Sequence, residues 1–270
     1  MNREIWLGQH PYLQPMAEVY ALVEGALGEV DIPSAAIPAW DDYLDDYRAG
    51  VPLLHSSAVE VDLDPAAGAI SSLIEKTALL RLPDKLAAES RALAADLGRD
   101  PDIPLRLLAW LRGRESIAPD HSGLLPYFAW IVLARYLQAV VGAFSSWRDE
   151  ERWLRNYCPT CGTPPAMAQL VGKDPGRQRY LVCGCCRTRW RYKRTDCPFC
   201  ESDDHQHATV AIEADTTLRI DYCEACGGYL KTYNGEGSEA VFLADWTSVH
   251  LDLIARDRGL KRLAASMYAL

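Results

Sequence analysis

Eight of the nine cysteines in this 270-residue chain form four knuckles: Cys158-Pro-Thr-Cys161, Cys183-Gly-Cys-Cys186, Cys197-Pro-Phe-Cys200 and Cys223-Glu-Ala-Cys226. The stretch 162–182 separates the first two and 201–222 the last two, nearly equal lengths, so one module occurs twice in tandem. Two residues between thiols let a tight turn aim both sulfurs at one ion, while backbone N–H groups directed at the sulfurs offset the negative charge. About twenty intervening residues suffice for a hairpin that brings the second knuckle opposite the first. Pro159 and Pro198 prefix the turn, and Gly162 and Gly227 follow the second thiol, where a positive φ is expected.

Spacing therefore assigns Cys158, Cys161, Cys183 and Cys186 to a first metal site and Cys197, Cys200, Cys223 and Cys226 to a second. The alternatives are interleaved ligation and unmetallated or redox thiols. A tetrahedron of thiolates suits zinc and a single rubredoxin-type iron alike, and zinc is the metal that spacing alone favours. Cys185, inside the second knuckle, reads as a spectator thiol. His205 and His207 read as loop histidines rather than ligands.

Other chemistry is sparse. Asp41, Asp42, Asp45 and Asp46 share a helical face, but no histidines or glutamates are set to converge on them, so a solvated acidic face is expected. No nucleophile elbow, phosphate-binding glycine loop or His-Glu-x-x-His is present.

The elements that must position the cysteines follow from periodicity. Residues 1–157 read as an all-α bundle: Met16, Val19, Tyr20, Val23 and Leu27 recur at helical spacing up to Gly28, and similar stretches cover 67–82, 84–97 and 103–113. The apolar run Leu124 to Trp147 contains Pro126, Arg135 and Gln138 and reads as a buried core helix, not a membrane span. From Cys158 the texture becomes β-like, with strands expected at 179–183, 188–193, 208–213, 218–222 and 229–233, another at 239–243, and helix from Leu251 to Tyr268. Setting Cys186 against Cys226 turns Trp190 and Leu230 inward and makes Arg187, Arg189, Arg191 and Lys193 a basic ridge.

The resulting architecture is α+β and multidomain. A helical domain (1–156) precedes two tandem rubredoxin-like or zinc-ribbon modules (157–196 and 197–245) and a C-terminal helix (246–270). Hydrophobic residues make up 49% and charged residues 24%, an ordinary globular mix. All the cysteines fall between Cys158 and Cys226, and Met1-Asn2-Arg3-Glu4-Ile5-Trp6 lacks the apolar core of a secretory signal. A reducing cytoplasmic setting is therefore expected. The net charge of −9 hides +6 over 158–200 and −6 over 201–226, a pattern of local docking faces rather than a uniform nucleic-acid surface.

The cysteine-rich half resembles the formate dehydrogenase accessory, or formation, proteins of the FdhE type. The residues that carry this are Cys158-Pro-Thr-Cys161-Gly162 with Pro164-Pro165, Arg179-Tyr180-Leu181-Val182-Cys183-Gly-Cys-Cys186, Trp190, Arg194, Cys197-Pro-Phe-Cys200 and Cys223-Glu-Ala-Cys226-Gly-Gly-Tyr229-Leu230-Lys231-Thr232. Ala244-Asp245 and Leu251-Asp252 extend the match, which covers about 157–252; Cys185 and Trp246 depart from it.

The resemblance implies a non-enzymatic cytoplasmic maturation factor that binds the catalytic subunit of a molybdenum- or tungsten-dependent formate dehydrogenase. It also implies two rubredoxin-like sites holding iron, which moves the expected metal from zinc to iron. Candidate partner-binding residues are Arg187, Arg189, Arg191, Lys193 and Lys231. A homodimer is left open. The rival readings are a nucleic-acid-binding twin zinc ribbon and a thiol or iron redox protein.

Overall fold

Proline and glycine punctuation cuts the chain before Arg148 into helices. In the computed structural model these are α1 (Arg3–Gln9), α2 (Gln14–Gly28), α3 (Trp40–Ala49), α4 (Asp64–Thr77), α5 (Asp84–Arg99), α6 (Ile103–Leu111), α7 (Leu124–Tyr136) and α8 (Gln138–Trp147). The structure describes residues 1–120, 123–173, 175–202, 207–212 and 215–264. They form two compact units. One comprises Pro15–Arg148 with Thr160–Gly162, the other Met1–Gln14, Asp149–Pro159 and Thr163–Leu270.

In the helical unit α7 is the central element, because it is apolar on every side: residues 127 through 133 are all buried. Helix α4 packs on α7, α5 and α6, burying Ile70, Leu73 and Ile74. The single core helix expected over Leu124–Trp147 is instead two helices bent by 60°. At the bend the carbonyl of Tyr136 accepts from Ala35 N (3.1 Å), and the Tyr136 hydroxyl donates to Asp62 O (2.6 Å), so the end of α7 is tied to neighbouring chain. No single helix among the described residues is long and apolar enough to cross a membrane.

The other unit is built on strands β1 (Pro165–Val171), β2 (Gln178–Cys183), β3 (Arg189–Tyr192), β4 (His207–Ile212), β5 (Asp215–Cys223) and β6 (Tyr229–Asn234). They form one sheet in the order β3-β2-β1-β6-β5-β4. Within each repeat the neighbours are antiparallel, and the repeats join through the parallel pair β1–β6, with Met167 opposite Lys231 and Gln169 opposite Tyr233. The two cysteine modules therefore share a continuous sheet. Joining makes β1 and β6 central strands buried on both faces, which erases the period-2 pattern in β1 and explains why the sequence announces no strand there.

Three further expectations change. Residues 239–243 are not a strand: Glu239–Phe242 forms a short helix, α9, whose Val241 and Phe242 pack with Trp6 and Tyr233. The expected helix Leu251–Tyr268 is α10 (Val249–Asp257), ended at Gly259 with φ 73°; residues 265–268 lie outside the described residues. The division after residue 156 also differs at the N-terminus. Helix α1 groups with the sheet because Trp6, 2% exposed, enters the core formed with Leu218, Ile220, Tyr229 and Phe242, and its Nε1 donates to Thr247 O at 3.1 Å.

Candidate metal centres

All four knuckles share one backbone design. The N–H of the first cysteine donates to the carbonyl five residues on, at 2.9 Å in each case: Cys158 to Thr163, Cys183 to Thr188, Cys197 to Ser202 and Cys223 to Gly228. The residue after the second thiol is left-handed in each, Gly162 (φ 76°), Arg187 (φ 62°), Glu201 (φ 58°) and Gly227 (φ 71°). Glycine accounts for two of these. At Arg187 and Glu201 the turn holds an L-residue in the same conformation, which no sequence signal announces.

This geometry gathers the thiols by repeat. The Sγ atoms of Cys158, Cys161, Cys183 and Cys186 lie within 4.8 Å of one another, as do those of Cys197, Cys200, Cys223 and Cys226. A tetrahedral ion with metal–sulfur bonds near 2.3 Å requires sulfur–sulfur separations of about 3.8 Å. The pairs Cys158–Cys186, Cys197–Cys226 and Cys200–Cys223 measure 3.5, 3.8 and 3.8 Å, so the donor sets fit such an ion. No disulfide joins any of the nine cysteines.

Backbone donors are aimed at sulfur, as a thiolate site requires. Cys185 N and Cys186 N point at Cys183 Sγ (3.3 and 3.4 Å), Phe199 N at Cys197 Sγ (3.4 Å) and Gly228 N at Cys226 Sγ (3.3 Å). The first cluster also has hydroxyls at 3.1 Å, Thr163 Oγ1 from Cys183 Sγ and Thr188 Oγ1 from Cys186 Sγ. Its four cysteines are all buried, whereas in the second cluster Cys200 is exposed and Cys226 half-buried. Burial pushes the metal-free Cys197 thiol up to about 12, while the Ser202 N–H lowers that of Cys200. Coordination must therefore displace protons, most readily at Cys200.

Cys185 is buried but lies outside the cluster of four. His205 lies outside the described residues. His207 opens β4 opposite Cys223 and belongs to neither cluster. The α3 carboxylates form no metal cluster among the described residues: Asp45 pairs with Arg48 (3.4 Å), and Asp46 accepts from Ser56 Oγ (2.6 Å).

The basic ridge is on the face of β3 opposite the buried Trp190 and Tyr192, but its charges are engaged. Arg189 donates to Gln169 Oε1 (2.7 Å) and lies over the Tyr180 ring, Arg191 pairs with Glu151, and Lys193 pairs with Asp196 (2.9 Å). Arg187 is half-buried at its left-handed turn.

Lys231 requires correction as a partner-binding candidate. It is 1% exposed, on the face of β6 that also carries the core residues Tyr229 and Tyr233, and its Nζ meets Asp252 Oδ2 (2.8 Å) and Asp245 Oδ1 (2.5 Å). Arg262 closes the cluster on Asp245 (2.6 Å) and Asp252 (2.7 Å), and the Tyr229 hydroxyl donates to Asp252 Oδ1 (2.8 Å). Two cations balance two carboxylates. Strand alternation already puts Lys231 in phase with the two tyrosines, which is the signal that could have revealed its burial.

Residues 157–194 match the family described as FdhE, central domain. An FdhE homolog of Aquifex aeolicus is 34% identical over 134 residues, covering 47% of this chain and 47% of that protein. One from Pseudomonas aeruginosa is 31% identical over 235 residues, 83% of this chain and 65% of the relative. Protein FdhE of Escherichia coli O1:K1 is 30% identical over 139 residues, 50% of this chain and 45% of that protein. The chain thus spans about half to two-thirds of the length of these relatives. The crystal structure of the FdhE protein from Pseudomonas aeruginosa has the same fold, with a TM-score of 0.59 at 21% identity over 95% of this chain and 88% of that one.

Proposed function

The chain belongs to the FdhE family, and on that premise we propose that it is a formate dehydrogenase formation factor, a non-enzymatic accessory protein that binds the enzyme's catalytic subunit during assembly. The observation that carries this reading is the coincidence of the FdhE central-domain match, 157–194, with the first four-thiol repeat. Four thiolates around an ion leave no open coordination position for substrate, which supports a structural role for both sites. Cys158, Cys161, Cys183 and Cys186 hold one ion and Cys197, Cys200, Cys223 and Cys226 the other. Iron is the metal the family resemblance favours, with zinc as the alternative.

The ions lock the four turns and so stiffen the ends of the sheet. Arg187, Arg189, Arg191 and Lys193 form the docking face, their present partners being exchangeable for carboxylates of the incoming subunit. The setting is the cytoplasm, before the enzyme is complete.

Affinity capture of the tagged full-length chain from its own host, paired with deletion of its gene, tests this. A formate dehydrogenase catalytic subunit should be recovered, and formate dehydrogenase activity should fall on deletion. Capture without that subunit together with unchanged enzyme activity refutes the assignment.

A further inference from the structure

Arg179 belongs to the first repeat by sequence, yet its hydrogen bonds go to the chain that enters the second. It lies on β2, the strand that ends in the ligand Cys183, and stands opposite Tyr192 of β3. The side chain is 8% exposed, and its guanidinium lies 5.1 Å from the centre of the Tyr192 ring. Its Nη2 donates to the carbonyl of Lys193 and to that of Asp196 (2.5 Å), and the Tyr192 hydroxyl donates to Cys197 O at 3.4 Å. Residues 193–196 are the whole tether between the end of β3 and the first ligand of the second centre. Arg179 also shares with Cys197, Pro198, Phe199 and Cys223 the lining of one small cavity on this face of the sheet. Burial disfavours the guanidinium charge, and the Asp221 and Asp196 carboxylates offset part of that cost.

The repeat supplies its own comparison. Setting Cys183 against Cys223 aligns Arg179 with Arg219 and Tyr192 with Thr232, and the second pair is again cross-strand, Arg219 on β5 opposite Thr232 on β6. No knuckle follows Thr232, and Arg219 bonds instead to Asp221 of its own strand (3.2 Å). Both repeats carry an arginine at this register position, but only the one with a knuckle downstream directs its donors to the oncoming backbone.

We propose that Arg179 is a positioning residue of the second metal centre, through which the first repeat fixes the approach of Cys197. A guanidinium presents several donors in one rigid fork, so a single side chain can hold two carbonyls of a tether that forms no strand. Holding the tether limits excursions of Cys197 Sγ from the other three sulfurs, and a chelator captures the ion during such local openings. The proposal rests on the reading that each four-thiol set holds an ion.

Release of metal from the loaded, full-length chain to a chromophoric chelator tests it, the second-centre phase being the one that Cys200→Ser abolishes. Arg179→Met should speed that phase about tenfold or more and leave the first-centre phase unmoved, whereas a general loss of stability speeds both. Arg179→Lys, which keeps the charge and some of the donors, should fall between, and it carries the test if Arg179→Met does not fold. Arg219→Met, a change on the same face that leaves the tether's bonds intact, should keep both phases within about twofold of wild type. Two ions per chain with an unaltered second-centre phase in the Arg179 variants overturns this proposal alone, as does equal acceleration of both phases or an equal effect in Arg219→Met. A wild-type chain that binds no ion refutes the metal reading itself, and the proposal with it.

Discussion

Nζ of Lys231 and Oδ2 of Asp252 lie 2.8 Å apart, with side-chain exposures of 1% and 2%. The pair ties the last strand of the sheet to α10, and Arg262 ties the segment beyond α10 to the same carboxylates. Removing one partner leaves a buried charge unmatched, so Lys231→Met should destabilise the protein by about 3–5 kcal/mol. The double variant Lys231→Met with Asp252→Leu should recover part of that loss. Chemical denaturation of these two variants and of Asp252→Leu alone measures the coupling, and additive losses would show that the residues do not act as a pair.

The same cluster sets an acid limit. Burial alone would raise the Asp245 carboxyl, but the Lys231 ammonium and the Arg262 guanidinium outweigh it and hold the group far below the usual carboxylate range. A depressed carboxylate contributes stability that is full above its unfolded pKa, about 4, and is lost as pH falls through the folded value. Stability should therefore decline below about pH 4. Asp245→Asn should flatten that limb by up to about 1.4 kcal/mol per pH unit, the slope for one proton. Denaturation midpoints from pH 2.5 to 6 decide it, and an unchanged slope in the variant contradicts the assignment.

The two thiol clusters should differ in lability. The first is buried and has two hydroxyls beside its sulfurs, while Cys200 of the second is exposed. A chelator should remove one ion per chain much faster than the other, and Cys200→Ser should abolish the fast phase. A single phase for both ions would contradict this.

Gly162 and Gly227 have the same left-handed conformation in different surroundings. A Cβ at Gly162 would lie 2.8 Å from His55 Cε1, and His55 is held by Nε2 at 2.8 Å from Leu111 O; at Gly227 the nearest atom is 3.9 Å away. Both alanine variants incur roughly 1–2 kcal/mol for the left-handed backbone. Gly162→Ala should exceed Gly227→Ala by the cost of the clash. Equal losses in thermal unfolding would show that His55 yields freely.

The thiol clusters are legible because a tetrahedral site imposes spacing on ligand residues, and the helical half is legible from periodicity. What spacing does not show is context. Pro165–Val171 is missing from the expected strands because a strand central to a joined sheet loses its alternation, and the join of β1 to β6 depends on contacts far apart in sequence. The break of Leu124–Trp147 depends on Ala35, distant in the chain. Lys231 reads as a surface charge because its partners, Asp245, Asp252 and Arg262, lie downstream in elements whose packing spacing does not report.

Everything proposed for the metal centres depends on eight of the nine cysteines holding two ions. Elemental analysis of anaerobically purified protein, with thiol titration before and after chelation, measures this directly. Two ions per chain, with eight thiols protected until the chelator is added, is the predicted result. Metal-free protein whose cysteines react at once in an intact fold would contradict it.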